Sequence, residues 1–130
     1  MAREVFIAEG TRTAIGKFGG SLRTLRATEF GTTVASAVLE RTGIPGESVD
    51  LVVGGMVLQD MTESNPARIV AMRTGIPHSV PAFTVNMQCC SSMSALILGA
   101  QRVALESADV VLVVGLESMS NAPHMVPGSR

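Results

Sequence analysis

The chain has 130 residues, 46% hydrophobic and 16% charged, a make-up that excludes a disordered polymer and is enough for one domain with a core. Aromatic residues are 3%, with no Trp or Tyr, so Val, Leu, Ile, Ala and 8 Met must fill that core. A net charge of −1 makes no electrostatic case for a nucleic-acid partner, whose phosphates reward an excess of Lys and Arg.

Val5-Phe-Ile-Ala8 reads as a short buried strand, followed by a loop from Gly10 to Gly20. Thr28 can cap a helix that runs to about Thr42, with Phe30, Val34, Val38 and Leu39 as its apolar stripe. Gly43 and Pro45 stop it. The apolar, β-branched run Asp50 to Leu58 predicts a strand buried on both faces. Asn65-Pro66 opens a second helix, because Pro fits a first helical turn, and Gly75-Ile-Pro77 ends it. Pro81 to Val85 is a short strand leading to Cys89 and Cys90. Met93, Leu96, Ile97, Ala100, Val103 and Ala104 recur at helical spacing and predict a third helix with a strong apolar stripe. Asp109 to Gly115 is a further buried strand, and Leu116 to Arg130 looks irregular. The order β, α, β, α, β, α, β means an α/β layered fold with a mostly parallel sheet and flanking helices.

The two cysteines are adjacent. Neighbouring Cα atoms lie ~3.8 Å apart, below the ~4.4 Å floor usual for a disulfide, so both thiols are expected free, which suits a reducing, cytoplasmic compartment. Met1 to Glu4 leads straight into a strand-like segment without a signal-peptide core. No apolar run approaches ~18 residues, so no membrane span is expected. Adjacent thiolates lack the Cys-x-x-Cys spacing of a metal site, and His78 and His124 form no motif, so no metal is expected.

Cys89 is the candidate for chemistry. It falls where a strand meets a helix N-terminus, whose free N–H groups and partial positive charge favour a thiolate and can hold the oxygen of a tetrahedral intermediate. Most free cysteines are small buried hydrophobes, and Cys90 has the same local claim, so position alone decides neither question. Gly16-Lys-Phe-Gly-Gly20 is not a phosphate loop, since Phe18 follows the lysine. Arg12, Lys17, Arg23 and Arg26 read as ordinary surface charge rather than an anion site. Glu117 and Ser120 lie just past a strand end and read as loop ties. There is no Gly-x-Ser-x-Gly elbow.

Four blocks in order resemble the N-terminal part of the thiolase family, the acetyl-CoA acetyltransferases and 3-ketoacyl-CoA thiolases. Gly10-Thr-Arg-Thr-Ala-Ile-Gly-Lys-Phe-Gly-Gly-Ser-Leu22 resembles the family's opening Arg-Thr-Pro-x-Gly-x-Phe-x-Gly-x-Leu. Gly55-Met-Val-Leu-Gln59 with Asn65-Pro-Ala-Arg68 resembles its second block. Val85-Asn-Met-Gln-Cys-Cys-Ser-Ser-Met-Ser-Ala95 resembles the nucleophile block Val-Asn-x-x-Cys-x-Ser-Gly-x-x-Ala, and Gly115-Leu-Glu-Ser-Met-Ser120 with Pro123 resembles Gly-x-Glu-x-Met-Ser-x-x-Pro.

The resemblance, with Asn86 and Ala95 fixing the register, assigns the acyl-accepting role to Cys89. It implies a thiolase-like layered fold, with residues 1–130 as an incomplete N-terminal domain whose loop region starts near 117. It implies acyl-CoA and coenzyme A as substrates and no permanently bound cofactor; coenzyme A-binding residues are not assigned. Chemically it implies thioester exchange, running toward acetoacetyl-CoA or toward 3-ketoacyl-CoA cleavage. Ala14 stands where the family has Pro, and Ser92 where it has Gly. The family's second half brings a His that activates the nucleophile and a second Cys that acts as acid and base, and neither has a counterpart here. The 130 residues alone are therefore expected to be inactive, as a fragment or as one subunit beside another that supplies the rest. Family members are homodimers or tetramers. Another condensing enzyme, such as a ketoacyl synthase, and a non-catalytic thiolase-like scaffold are the alternative readings.

Overall fold

The structure is a computed structural model, and it describes residues 3–59 and 61–128. Three strands, β1 (Leu51–Gly55), β2 (Ala82–Val85) and β3 (Val111–Gly115), form one parallel sheet in the order β2-β1-β3. The central strand is buried along its whole length, as its unbroken apolar run requires. Gly55 stands in register with Val85 on one side and Gly115 on the other, so all three strands end at one level.

Helices α1 (Ala27–Thr42) and α2 (Pro66–Arg73) cover one face and α3 (Ser91–Ala104) the other. The larger core lies under α1 and α2 and gathers Val52, Met56, Val70, Leu112, Val114 and Leu116. The smaller one joins Leu51, Val53 and Ala95 under α3. Asn65 caps α2 by accepting from the Arg68 N–H at 3.3 Å, and Pro66 opens the helix. Gly43, at φ 66°, ends α1 in the left-handed conformation that glycine adopts without cost.

Two expectations from the sequence are corrected. Val5 to Ala8 forms no strand among the described residues, and Phe6 and Ile7 are 81% and 76% exposed. A strand needs a neighbour to take its N–H and C=O groups. The nearest ties are at Arg3, whose N–H donates to the Ala104 carbonyl at 3.2 Å and whose guanidinium pairs with Asp109. Thr28 does not cap α1. Arg26 holds that position, its N–H donating to Glu29 Oε2 at 2.7 Å, while the Thr28 hydroxyl is buried against both Glu63 oxygens at 2.8 and 2.9 Å.

The stripe of α3 does not meet the sheet. The sheet-facing residues of this helix are Ser91, Ala95 and Gly99, while Met93 and Ile97 are 59% and 50% exposed. Small residues win because the helix lies close on the sheet. A Cβ on Gly99 would come within 3.0 Å of Val113 Cγ2 and 3.1 Å of Val111 Cγ1. The bulkier apolar stripe consequently points away from the strands.

Candidate functional site

The carboxyl ends of the strands carry the site, as open parallel sheets generally arrange it. Four residues past Val85, Cys89 and Cys90 are free thiols, and both are exposed. Cys90 is the N-cap of α3 and Ser91 its first residue. The seam expected from the sequence is therefore present, with the candidate nucleophile open to solvent rather than packed in a core.

The chain reaches Cys89 through a tight, heavily bonded turn. Asn86 Nδ2 donates to the Val57 carbonyl at 2.9 Å, and its Oδ1 accepts from the Gln88 N–H at 3.0 Å. Gln88 takes φ 50°, in the left-handed region that residues with a Cβ rarely enter. Ser91 is buried, and its Oγ accepts from the Met87 N–H at 2.9 Å and donates to the Gln88 carbonyl at 2.6 Å. The Cys90 N–H donates to Met87 O at 3.1 Å and the Ser91 N–H to Gln88 O at 3.0 Å. The Cys89 N–H has no acceptor among the described residues. It is thus a donor without a partner beside an exposed thiol, the pairing that acyl transfer asks of a nucleophile and its oxyanion site.

Two glycines allow this arrangement. A Cβ on Gly55 would lie 2.5 Å from both Ser91 C and Ser92 N, so the first turn of α3 rests directly on the end of β1. A Cβ on Gly115 would collide with Ser92 Oγ and lie 2.9 Å from Ser92 Cβ. The Ser92 side chain therefore sits over the bare end of β3.

The other candidates are placed as follows. Glu117 accepts from the Val57 N–H at 2.9 Å and holds the loop after β1. Ser120 accepts from the Gly19 N–H at 3.0 Å and ties the first loop to the last. Arg68 donates to the carbonyls of Val80 and His78, both at 2.7 Å, and fixes the approach to β2. His78 precedes β2 while Cys89 follows it, so the strand separates them. His124 is exposed in the tail. Arg26 and Arg73 both pair with Glu63, at 3.8 and 3.5 Å, in a cluster on the α1–α2 side of the sheet. Arg12, Lys17 and Arg23 are exposed. Among the described residues no group of three His, Cys, Asp or Glu gathers to hold a metal, and no helix is long and apolar enough to cross a membrane.

Sequence reasoning missed the lock around Gln88 and the buried Glu63. Asn86 offers a signal for the first, since Asn side chains bind backbone two residues on. Glu63 offers none, because even the nearest in sequence of its partners Arg26, Thr28 and Arg73 lies 10 residues away.

The model of the thiolase N-terminal domain matches residues 5–130. An acetyl-CoA acetyltransferase of Thiocystis violacea is 46% identical over 130 residues, covering 100% of this chain and 33% of the relative. Among solved structures, the Acat5 thiolase from Ascaris suum, in complex with coenzyme A, superposes with a TM-score of 0.88 at 35% identity, over 92% of this chain and 31% of that one. The Bacillus anthracis acetyl-CoA acetyltransferase superposes with a TM-score of 0.82 at 33% identity, over 85% and 28%. The chain spans about a third of the length of these relatives.

Proposed function

The chain belongs to the thiolase family, and from that premise we propose that it is the nucleophile-bearing part of an acyl-CoA acyltransferase, with Cys89 as the acyl acceptor. Residues 1–130 are read as an incomplete N-terminal domain. The observation that carries the proposal is an exposed Cys89 on a bonded strand–turn–helix seam, with its own N–H left without an acceptor. The coenzyme A bound by the Ascaris suum thiolase supports coenzyme A and its thioesters as substrates.

The Cys89 thiolate attacks the thioester carbonyl, the carbon–sulfur bond to coenzyme A breaks, and coenzyme A leaves as a thiolate. The Cys89 N–H receives charge on the carbonyl oxygen in the tetrahedral intermediate. The acyl group then passes to a second acetyl-CoA deprotonated at its α-carbon. In the cleaving direction the Cys89 thiolate instead attacks the 3-keto carbonyl of a 3-ketoacyl-CoA, the carbon–carbon bond to the α-carbon breaks, acetyl-CoA leaves as its enolate and is protonated, and the acyl group passes to coenzyme A. Proton transfer falls to a His and a second Cys outside these 130 residues, supplied by further chain or by another subunit. A homodimeric or tetrameric cytoplasmic enzyme is the setting this reading favours, in keeping with two free thiols.

The test is acyl-enzyme formation. The full-length protein from its source, after its intact mass is measured, is incubated with radiolabelled acetyl-CoA, quenched in acid and digested. The expected label sits on the peptide bearing Cys89 and disappears in Cys89→Ser. Label that survives Cys89→Ser, or rests on Cys90, overturns the assignment.

A further inference from the structure

We propose that Asn86 and Ser91 are positioning residues that lock Gln88 in its left-handed conformation and thereby aim the Cys89 thiol. The proposal rests on reading Cys89 as the acyl acceptor. Both main-chain polar groups of Gln88 are held by these two side chains. Its N–H donates to Asn86 Oδ1 at 3.0 Å, and its carbonyl accepts from Ser91 Oγ at 2.6 Å. Each side chain is itself anchored. Asn86 reaches the Val57 carbonyl beyond β1 at 2.9 Å, and Ser91 is buried against the end of β1, where a Cβ on Gly55 would stand 2.5 Å from its carbonyl carbon.

The left-handed region disfavours a residue with a Cβ, so φ 50° at Gln88 persists only where its surroundings impose it. Gln88 immediately precedes Cys89, so its dihedrals set the direction in which the next residue leaves the turn. With the lock removed, the turn relaxes toward ordinary backbone and the thiol leaves its aim. The lock also fixes the Cys89 N–H relative to the sulfur, since both follow from the same peptide.

The experiment uses the full-length protein and reads the rate of Cys89 acylation by acetyl-CoA. As an independent readout, it takes the pH profile of Cys89 alkylation by iodoacetamide, resolved from Cys90 by peptide mass. Asn86→Ala is expected to slow Cys89 acylation about tenfold, in line with the usual penalty for left-handed backbone. Gln88→Gly in that background is expected to restore the rate to within about threefold, because glycine holds φ 50° unaided. Gln88→Val, which keeps both side-chain anchors but resists positive φ, is expected to be slow by itself. Asp50→Asn, at the far end of β1, serves as the control for lost stability and keeps the wild-type rate. A loss in Asn86→Ala that Gln88→Gly leaves unrepaired, or a wild-type rate in Gln88→Val, overturns the proposal. A wild-type protein that forms no acyl-enzyme overturns the reading of function instead, while the alkylation profiles, with the same expected order among variants, still judge the lock.

Discussion

At Gly55 and Gly115 the space that a Cβ would occupy is already filled by the first turn of α3. The two contacts differ in kind. At Gly55 the neighbours are backbone atoms of Ser91 and Ser92, and at Gly115 they are the side chain of Ser92. Backbone held by a helix has nowhere to go, whereas a side chain can be deleted. Gly55→Ala is therefore expected to cost about 3 kcal/mol, at the upper end for overpacking, whatever stands at 92. Gly115→Ala is expected to cost about 1–2 kcal/mol, and Ser92→Gly in the same chain to recover most of it. Urea unfolding followed by far-ultraviolet circular dichroism checks both, and equal rescue of the two variants would contradict the geometry. Ser92 stands where the resemblance places Gly, and the sequence shows that substitution plainly. What it does not show is that the side chain lies against a glycine 23 residues away in β3. The same limit applies to the thiol itself. Its place between strand and helix is legible, because the local pattern changes there, but the positive φ at Gln88 is set by Asn86 and Ser91 together.

Between elements, legibility follows how local the cause is. The start of α2 is readable because Asn65 and Pro66 act on their own helix. The start of α1 is not, because the hydroxyl that marks Thr28 as a cap is taken by Glu63 across the α1–α2 contact. The entry to β3 depends on an equally remote group. Asp50, one residue before β1, accepts from the Asp109 N–H at 2.8 Å and the Val110 N–H at 3.0 Å. The Val110 amide, and then that of Asp109, hold its carboxyl below the ordinary carboxylate range. A carboxyl lowered on folding adds stability that is present above its unfolded value, near ~3.9, and that is lost as pH falls through the folded value. Asp50→Asn keeps one oxygen as an acceptor but loses the charge. At pH 7 it is expected to cost about 1 kcal/mol, toward the low end for a charged hydrogen bond because water reaches the group. The gap between variant and wild type is expected to close below about pH 4. Unfolding midpoints measured from pH 7 to pH 3 check this, and a gap that widened in acid would have the wrong sign.

For the whole molecule, the sequence conveys the α/β alternation and most of the elements but leaves open which way α3 faces. A stripe at helical spacing says that a helix has two sides. It does not say that Ser91, Ala95 and Gly99, rather than the larger residues, meet the sheet. The decisive quantity is the distance between layers, which β-branched Val111 and Val113 set by filling the space under Gly99. The consequence runs against residue-type intuition. Gly99→Val adds apolar atoms on the buried side and is expected to cost about 3 kcal/mol or more by forcing helix and sheet apart. Ile97→Asn replaces a large hydrophobe by an amide on the open side and is expected to cost under about 0.5 kcal/mol in the 130-residue chain. It also interrupts an exposed apolar surface that includes Met93 and Leu96, so binding of an environment-sensitive dye should fall. Urea midpoints and dye fluorescence on the two variants separate the cases. If Ile97→Asn instead unfolds the chain as a core deletion would, by about 2–5 kcal/mol, then α3 presents its large residues to the sheet and the small-residue packing described for it is wrong.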